Sequence, residues 1–140
     1  MSMSLKTRLT QEQTMLKEVK NEALSFPKGV FFLVNMTTQT SAPMDVTIED
    51  ENGAQLFHGS RTGTDPLPVI SGTFTSLSGK ARIIIRCETA TNLDVLSEHL
   101  DIKKADGGLI MREYVYVAED STDADYNDLY VSIVGWQHKG

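Results

Sequence analysis

From Gly29 onward the apolar positions fall into short runs rich in β-branched and aromatic residues, cut by turn formers: GVFFLV, MDVTI, AQLFH, GTFTSL, KARIIIRC, LDVL, REYVYVA and LYVSIV. They predict strands over Gly29–Val34, Met44–Ile48, Ala54–His58, Gly72–Leu77, Lys80–Cys87, Leu93–Leu96, Arg112–Ala118 and Leu129–Val134. Asn52-Gly53 is a strong hairpin signal, because both positions of a tight I′ turn need positive φ. Ser78-Gly79 plays a similar part before KARIII, and Gly135 suggests a bulge in the last strand. The segment SRTGTDPLPV carries two prolines and suits a loop or an edge strand. Short strands without intervening helices imply an all-β fold, an antiparallel sandwich of Greek-key type with about nine strands.

Ahead of Pro27 the pattern differs. In LTQEQTMLKEVKNEAL, Leu9, Leu16, Val19 and Ala23 fall at helical spacing, and Thr10 with Gln13 forms a capping box. An amphipathic helix from Leu5 to Leu24 is expected, closed by Pro27. The chain therefore divides into a helical extension, 1–26, and a β-sandwich domain, 27–140. The apolar face of that helix would dock on its own domain or on a partner.

With 140 residues the chain can bury a core without staples. Its single cysteine, Cys87, excludes an intrachain disulfide framework and reads as a buried small hydrophobe. No apolar run approaches a membrane span, and no basic cluster with interleaved aromatics suggests nucleic acid. The N-terminus lacks the apolar core of a secretory signal, so synthesis in the cytoplasm is expected, with any release or cell-surface display by another route. The net charge is -6, and five carboxylates in one stretch, AEDSTDADYNDLY, account for most of it.

That stretch supplies Glu119, Asp120, Asp123, Asp125 and Asp128, together with the amide of Asn127. Converging carboxylates repel unless something positive lies between them. Oxygen donors without His or Cys select calcium or magnesium, and calcium accepts six to eight oxygens in flexible geometry. An EF-hand is excluded: counted from Asp123, its sixth and twelfth positions hold Asp128 and Val134 in place of Gly and Glu. The alternative is a solvated acidic turn. Six oxygen-bearing side chains within ten residues are enough for two adjacent ions.

The order EDSTDADYND, followed by a hydrophobic strand, a tryptophan and a terminal glycine, resembles the calcium-mediated bacterial lectins of the fucose/mannose-binding lectin II family. FFLVN and LSGKARIIIRC extend the resemblance upstream. It implies a β-sandwich that binds a monosaccharide through two calcium ions per subunit. Residue by residue, it implies that Glu119, Asp123, Asp125 and Asp128 hold the first ion. Asn35, Asp125, Asn127 and Asp128 would hold the second, with the terminal carboxylate of Gly140 from a neighbouring subunit. The sugar-facing set would be Asp120, Asp123, Asp125, Asp128, Thr122, Met36 and Thr37. Met36, where a hydroxyl would favour fucose, inclines the expectation to mannose-type sugars, unless it simply packs on its loop. The implied partners are mannose- or fucose-containing glycans and a second copy of the chain in a homodimer or higher homo-oligomer. The tail after Asp128 and the loop after Asn35 are longer than is usual in that family.

Enzymatic function is not expected. His58, His99 and His138 are scattered, and no nucleophile elbow, zinc-helix or phosphate-loop motif is present. Carboxylates held on calcium make poor general acids, because the cation favours their ionised form. The competing reading is a calcium-stabilised interaction protein that recruits its partner through the N-terminal helix.

Overall fold

The computed structural model describes residues 16–76, 78–88, 93–120 and 125–138. They form nine strands: β1 (Leu16–Ser25), β2 (Phe31–Thr38), β3 (Thr40–Asp50), β4 (Gln55–Gly63), β5 (Ile70–Thr75), β6 (Lys80–Glu88), β7 (Asp94–Lys103), β8 (Leu109–Glu119) and β9 (Leu129–Trp136). One sheet runs β1-β6-β3-β4 and the other β5-β2-β9-β8-β7. Every pairing is antiparallel, and the crossed connections are those of the expected sandwich.

Period-two alternation builds the core. Phe32, Val34 and Met36 from β2 meet Val131, Ile133 and Tyr116 within their sheet, and across the interior they face Met44, Val46, Ile48, Ile83 and Ile85. All of these side chains are essentially buried. Cys87 is among them, and burial pushes its thiol above the ordinary range, which fits the small-hydrophobe reading. The Asn52-Gly53 hairpin forms, but only Gly53 takes positive φ, +86°, so the turn is not type I′; the Asp50 N–H donates to the Ala54 carbonyl at 2.8 Å and the Gly53 N–H to the Asp50 carbonyl at 2.9 Å.

The predicted helix is corrected over its described part. Residues 16–25 are strand β1, paired with β6 from Leu16↔Glu88 to Ser25↔Lys80; Leu9, Thr10 and Gln13 lie outside the described residues. The register slips between Glu18 and Lys20, which leaves Val19 as an extra residue in the ladder. An inserted residue breaks the two-residue alternation, so Leu16, Val19 and Leu24 come at spacings that mimic a helical face. Tertiary pairing overrides a helix-prone composition, and Tyr116 clamps the strand by donating its hydroxyl to Glu22 at 2.9 Å.

Gly135 is not a bulge either. It pairs in register with Phe32 and Arg112. A Cβ there would lie 2.6 Å from Val30 and 2.9 Å from Phe26, so close packing is what requires glycine.

The proline-rich segment runs between β4 and β5, each at the edge of its sheet. This is where prolines cost no ladder bonds. On the outer face of the five-stranded sheet, register aligns Leu96 of β7 with Val117 and Tyr130, Leu100 with Glu113 and Val134, and Ile102 with Met111 and Trp136, while Glu98 faces Val115 and Ser132 between them. Leu100 is 53% exposed and its neighbours Leu96 and Ile102 are also exposed.

Candidate functional site

At one end of the sandwich β8 stops, β9 begins and β2 turns into β3. Ala118 pairs with Leu129, and Leu129 also pairs with Thr38, so the loop 119–128 leaves and re-enters two adjacent central strands. The backbone closes it: the Asp128 N–H donates to the Ala118 carbonyl at 3.1 Å, and the Gln39 N–H donates to the Asp128 carbonyl at 3.2 Å.

Inside this frame the acids converge. Glu119, Asp120 and Asp128 offer carboxylate oxygens that all lie within 4.8 Å of one another, with Glu119 and Asp128 buried. The Asp120 N–H donates to Asp128 Oδ2 at 2.7 Å, the Tyr126 N–H to Glu119 Oε1 at 2.8 Å, and the Thr40 hydroxyl to Asp120 Oδ2 at 2.9 Å. Tyr126 holds φ at 52°, a left-handed conformation, and its hydroxyl reaches Asp94 at 2.5 Å. Burial pushes the Asp128 carboxyl up to about 7, and Asp120 and Glu119 beside it add to the rise. An aspartate held that far from its ordinary range by burial and other acids fits a cation: a bound divalent ion would reverse the sign of its surroundings.

The structure sorts the sequence-predicted residues. It brings Glu119, Asp120 and Asp128 together, with Asn127 half-buried and Asp125 exposed on the same loop. Thr122, Asp123 and Gly140 lie outside the described residues. Asn35 lies apart from these three acids. It pairs with Ser132, three residues along β9 from Leu129, about 10 Å from the acidic end at the usual rise of a strand. Its Oδ1 accepts instead from the Ser71 hydroxyl at 2.7 Å.

Met36 lies apart as well. Its side chain is buried on the inner face, where the space above Gly59 leaves room for its sulfur, so it packs in the core, the second of the two readings its sequence position offered. Thr37, on the outer face, donates its hydroxyl to the Pro66 carbonyl. The residues that do reach the acids are Gln39, between β2 and β3, and Thr40, the first residue of β3, with Thr38 just before them. Sequence reasoning missed them because no local signal fixes a register; the TQT that follows the apolar run, polar and at a strand's end, was the available hint.

The whole is an antiparallel β-sandwich with three carboxylates converging at one end. The family description "Fucose-binding lectin II (PA-IIL)" matches residues 24–137. A lectin of Chromobacterium violaceum, solved with alpha-methyl-fucoside, superposes with a TM-score of 0.66 at 26% identity, over 86% of this chain and 100% of that one. Two further structures share the fold at 20% identity. The high-affinity mannose-binding lectin of Ralstonia solanacearum gives a TM-score of 0.65 over 84% of this chain and 96% of its own. The C-terminal domain of a Burkholderia cenocepacia lectin gives 0.65 over 88% and 100%. Thrombocorticin from Corticium sp. is 26% identical over 125 residues, 81% of this chain and 92% of that protein.

The chain belongs to the fucose-binding lectin II family. It is a lectin, a protein that binds sugar without turning it over. Lectins of this family are calcium-dependent, and the acidic group is this chain's candidate for that ion. Among the described residues no helix is long and apolar enough to cross a membrane.

Proposed function

We propose that this lectin binds a fucose- or mannose-type monosaccharide through two calcium ions held by the loop 119–128, as a homodimer. The observation that carries the reading is the convergence of Glu119, Asp120 and Asp128 within 4.8 Å, with Asp128 pushed up to about 7 by that burial and company. Glu119, Asp123, Asp125 and Asp128 hold one ion, and Asp125, Asn127 and Asp128 the other. The exposed Gln39, whose backbone is bound to Asp128, stands where Asn35 was expected. Calcium offsets the crowded charge and offers open positions to vicinal hydroxyls, which then donate to the same carboxylates. The fucoside complex of the Chromobacterium lectin supports the ligand class.

The dimer reading rests on the outer face of the five-stranded sheet, where Leu96, Leu100 and Ile102 stand exposed and Leu96 and Ile102 pair with Val117 and Met111. An apolar sheet face of that kind marks a protein interface. A second copy there could bring the Gly140 carboxylate toward a neighbouring site, as the family resemblance implies. Calorimetric titration of the calcium-loaded protein with methyl fucoside and methyl mannoside tests the reading. Binding that disappears in excess EDTA is expected; equal binding with and without EDTA would overturn the calcium bridge. The mass in solution tests the dimer, and a monomer at micromolar concentration would overturn it.

A further inference from the structure

The end of the sandwich that carries the acids has a second wall. Arg61, on β4, makes four hydrogen bonds into it: Nη1 donates to the Thr38 carbonyl at 2.8 Å and to the Thr38 hydroxyl oxygen at 2.6 Å, Nε to the Pro68 carbonyl at 3.0 Å, and Nη2 to the Asp65 carbonyl at 2.5 Å. The Thr38 hydroxyl in turn donates to the Gly63 carbonyl at 3.1 Å. One guanidinium thus ties the last residue of β2 to both arms of the loop between β4 and β5.

The tie leads to the acids in two steps. Beyond Thr38, the Gln39 N–H holds the Asp128 carbonyl and the Thr40 hydroxyl holds Asp120. Thr40 also pairs with Gly63, where the proline-rich loop begins. Thr37 binds the same loop at Pro66. Loop and turn are therefore one unit, joined through a side chain that touches neither the acids nor any ion they would hold.

We infer that Arg61 is a positioning residue: it fixes the Thr38–Thr40 turn and the 63–69 loop as one rim of the sugar site and thereby sets which pyranose the site prefers. The inference rests on the lectin reading. The planar fork of arginine is what the geometry needs, since it serves carbonyls in different directions at once, whereas lysine is a flexible point charge.

Arg61→Lys in the full chain tests it, beside Arg112→Lys as the control. Arg112 is a comparable fork elsewhere, bound to Asp101 at 2.7 and 2.9 Å and to the Ser25 carbonyl at 2.8 Å. Affinities for methyl fucoside and methyl mannoside are measured in saturating calcium, well below the unfolding midpoint, and calcium affinity is measured without sugar. Arg61→Lys is expected to weaken sugar binding about tenfold, as the loss of one or two charge-assisted bonds would, and to change the ratio between the sugars. Arg112→Lys should lower the unfolding midpoint and leave affinities and ratio unchanged. An unchanged ratio and affinity in Arg61→Lys, or an equal loss in Arg112→Lys, overturns the positioning role. If the unaltered protein binds neither sugar, the lectin reading fails separately. Calcium affinity then decides: a loss confined to Arg61→Lys upholds the coupling of Arg61 to the acids, and equal affinities in both variants overturn it.

Discussion

Asp45 and Asp128 are both 7% exposed, and they live in opposite surroundings. On the four-stranded sheet, Asp45 Oδ2 lies 2.6 Å from His58 Nε2 and accepts the Ser60 hydroxyl at 2.7 Å, while Arg86 stands 3.7 Å from its other oxygen. All of its partners come from this chain, on β4 and β6. Asp128 sits against Asp120 and Glu119, which push its carboxyl the same way that burial does. A buried carboxylate whose partners are built in is part of the scaffold. One surrounded by its own kind is half of an interaction whose other half comes from outside, and burial alone does not distinguish the two.

Substitution separates them most sharply. Asp128→Ala should abolish calcium-dependent sugar binding, read by calorimetry, yet in EDTA its unfolding midpoint should equal or exceed that of the parent, because a crowded charge is gone. Asp45→Ala should do the reverse. It should cost about 3 kcal/mol in urea unfolding, with or without calcium, because His58, Ser60 and Arg86 lose their partner. Sugar affinity should not change. An Asp128 variant that is destabilised in EDTA as much as the Asp45 variant would erase the distinction.

A smaller effect comes from pH. Asp128's folded value, about 7, lies above the ordinary 3.8, so the protonated form is the one that favours the fold. Its stabilising contribution is complete below pH 3.8 and is lost as pH rises through about 7. Calcium-free protein should therefore show a falling melting temperature across that window, and saturating calcium should remove the fall. Asp101 behaves oppositely: its bond to Arg112 holds it below its ordinary value, so its contribution is present above that value and lost in stronger acid. A melting temperature flat from pH 4 to 8 in EDTA would contradict the account of Asp128. The smallest effect is expected for Asn35→Ala, which loses one exposed bond to Ser71 and should leave calcium and sugar affinity unchanged in titrations. A clear loss would restore Asn35 as a ligand.

Local chemistry was legible in the sequence, and register was not. The acidic loop announced itself through composition and order, because its residues are neighbours in the chain and need no fold to be counted together. The Asn52-Gly53 turn and most strands were equally local. Leu16 to Ser25 misled because the extra residue at Val19 erases the two-residue period. The place of Asn35 relative to the acids depends on where β2 pairs with β9, which no single strand encodes. Met36 follows from alternation once that pairing is known: with Phe32 and Val34 facing inward, Met36 must as well. Arg61 lies 23 residues from Thr38, and only the folded chain joins them.

The closing pair at the base of the acidic loop has a kinetic consequence. Ala118↔Leu129 and the Asp128–Ala118 bond seal the loop using the chain alone, so the strands can zip before any ion arrives. Interactions made after the folding barrier slow unfolding and leave the refolding rate nearly untouched. Stopped-flow refolding should therefore run at the same rate in calcium and in EDTA, while unfolding in denaturant slows when calcium is present. On that clock a bound metal would act as a latch closed on a finished hairpin, and would govern how long the folded molecule lasts.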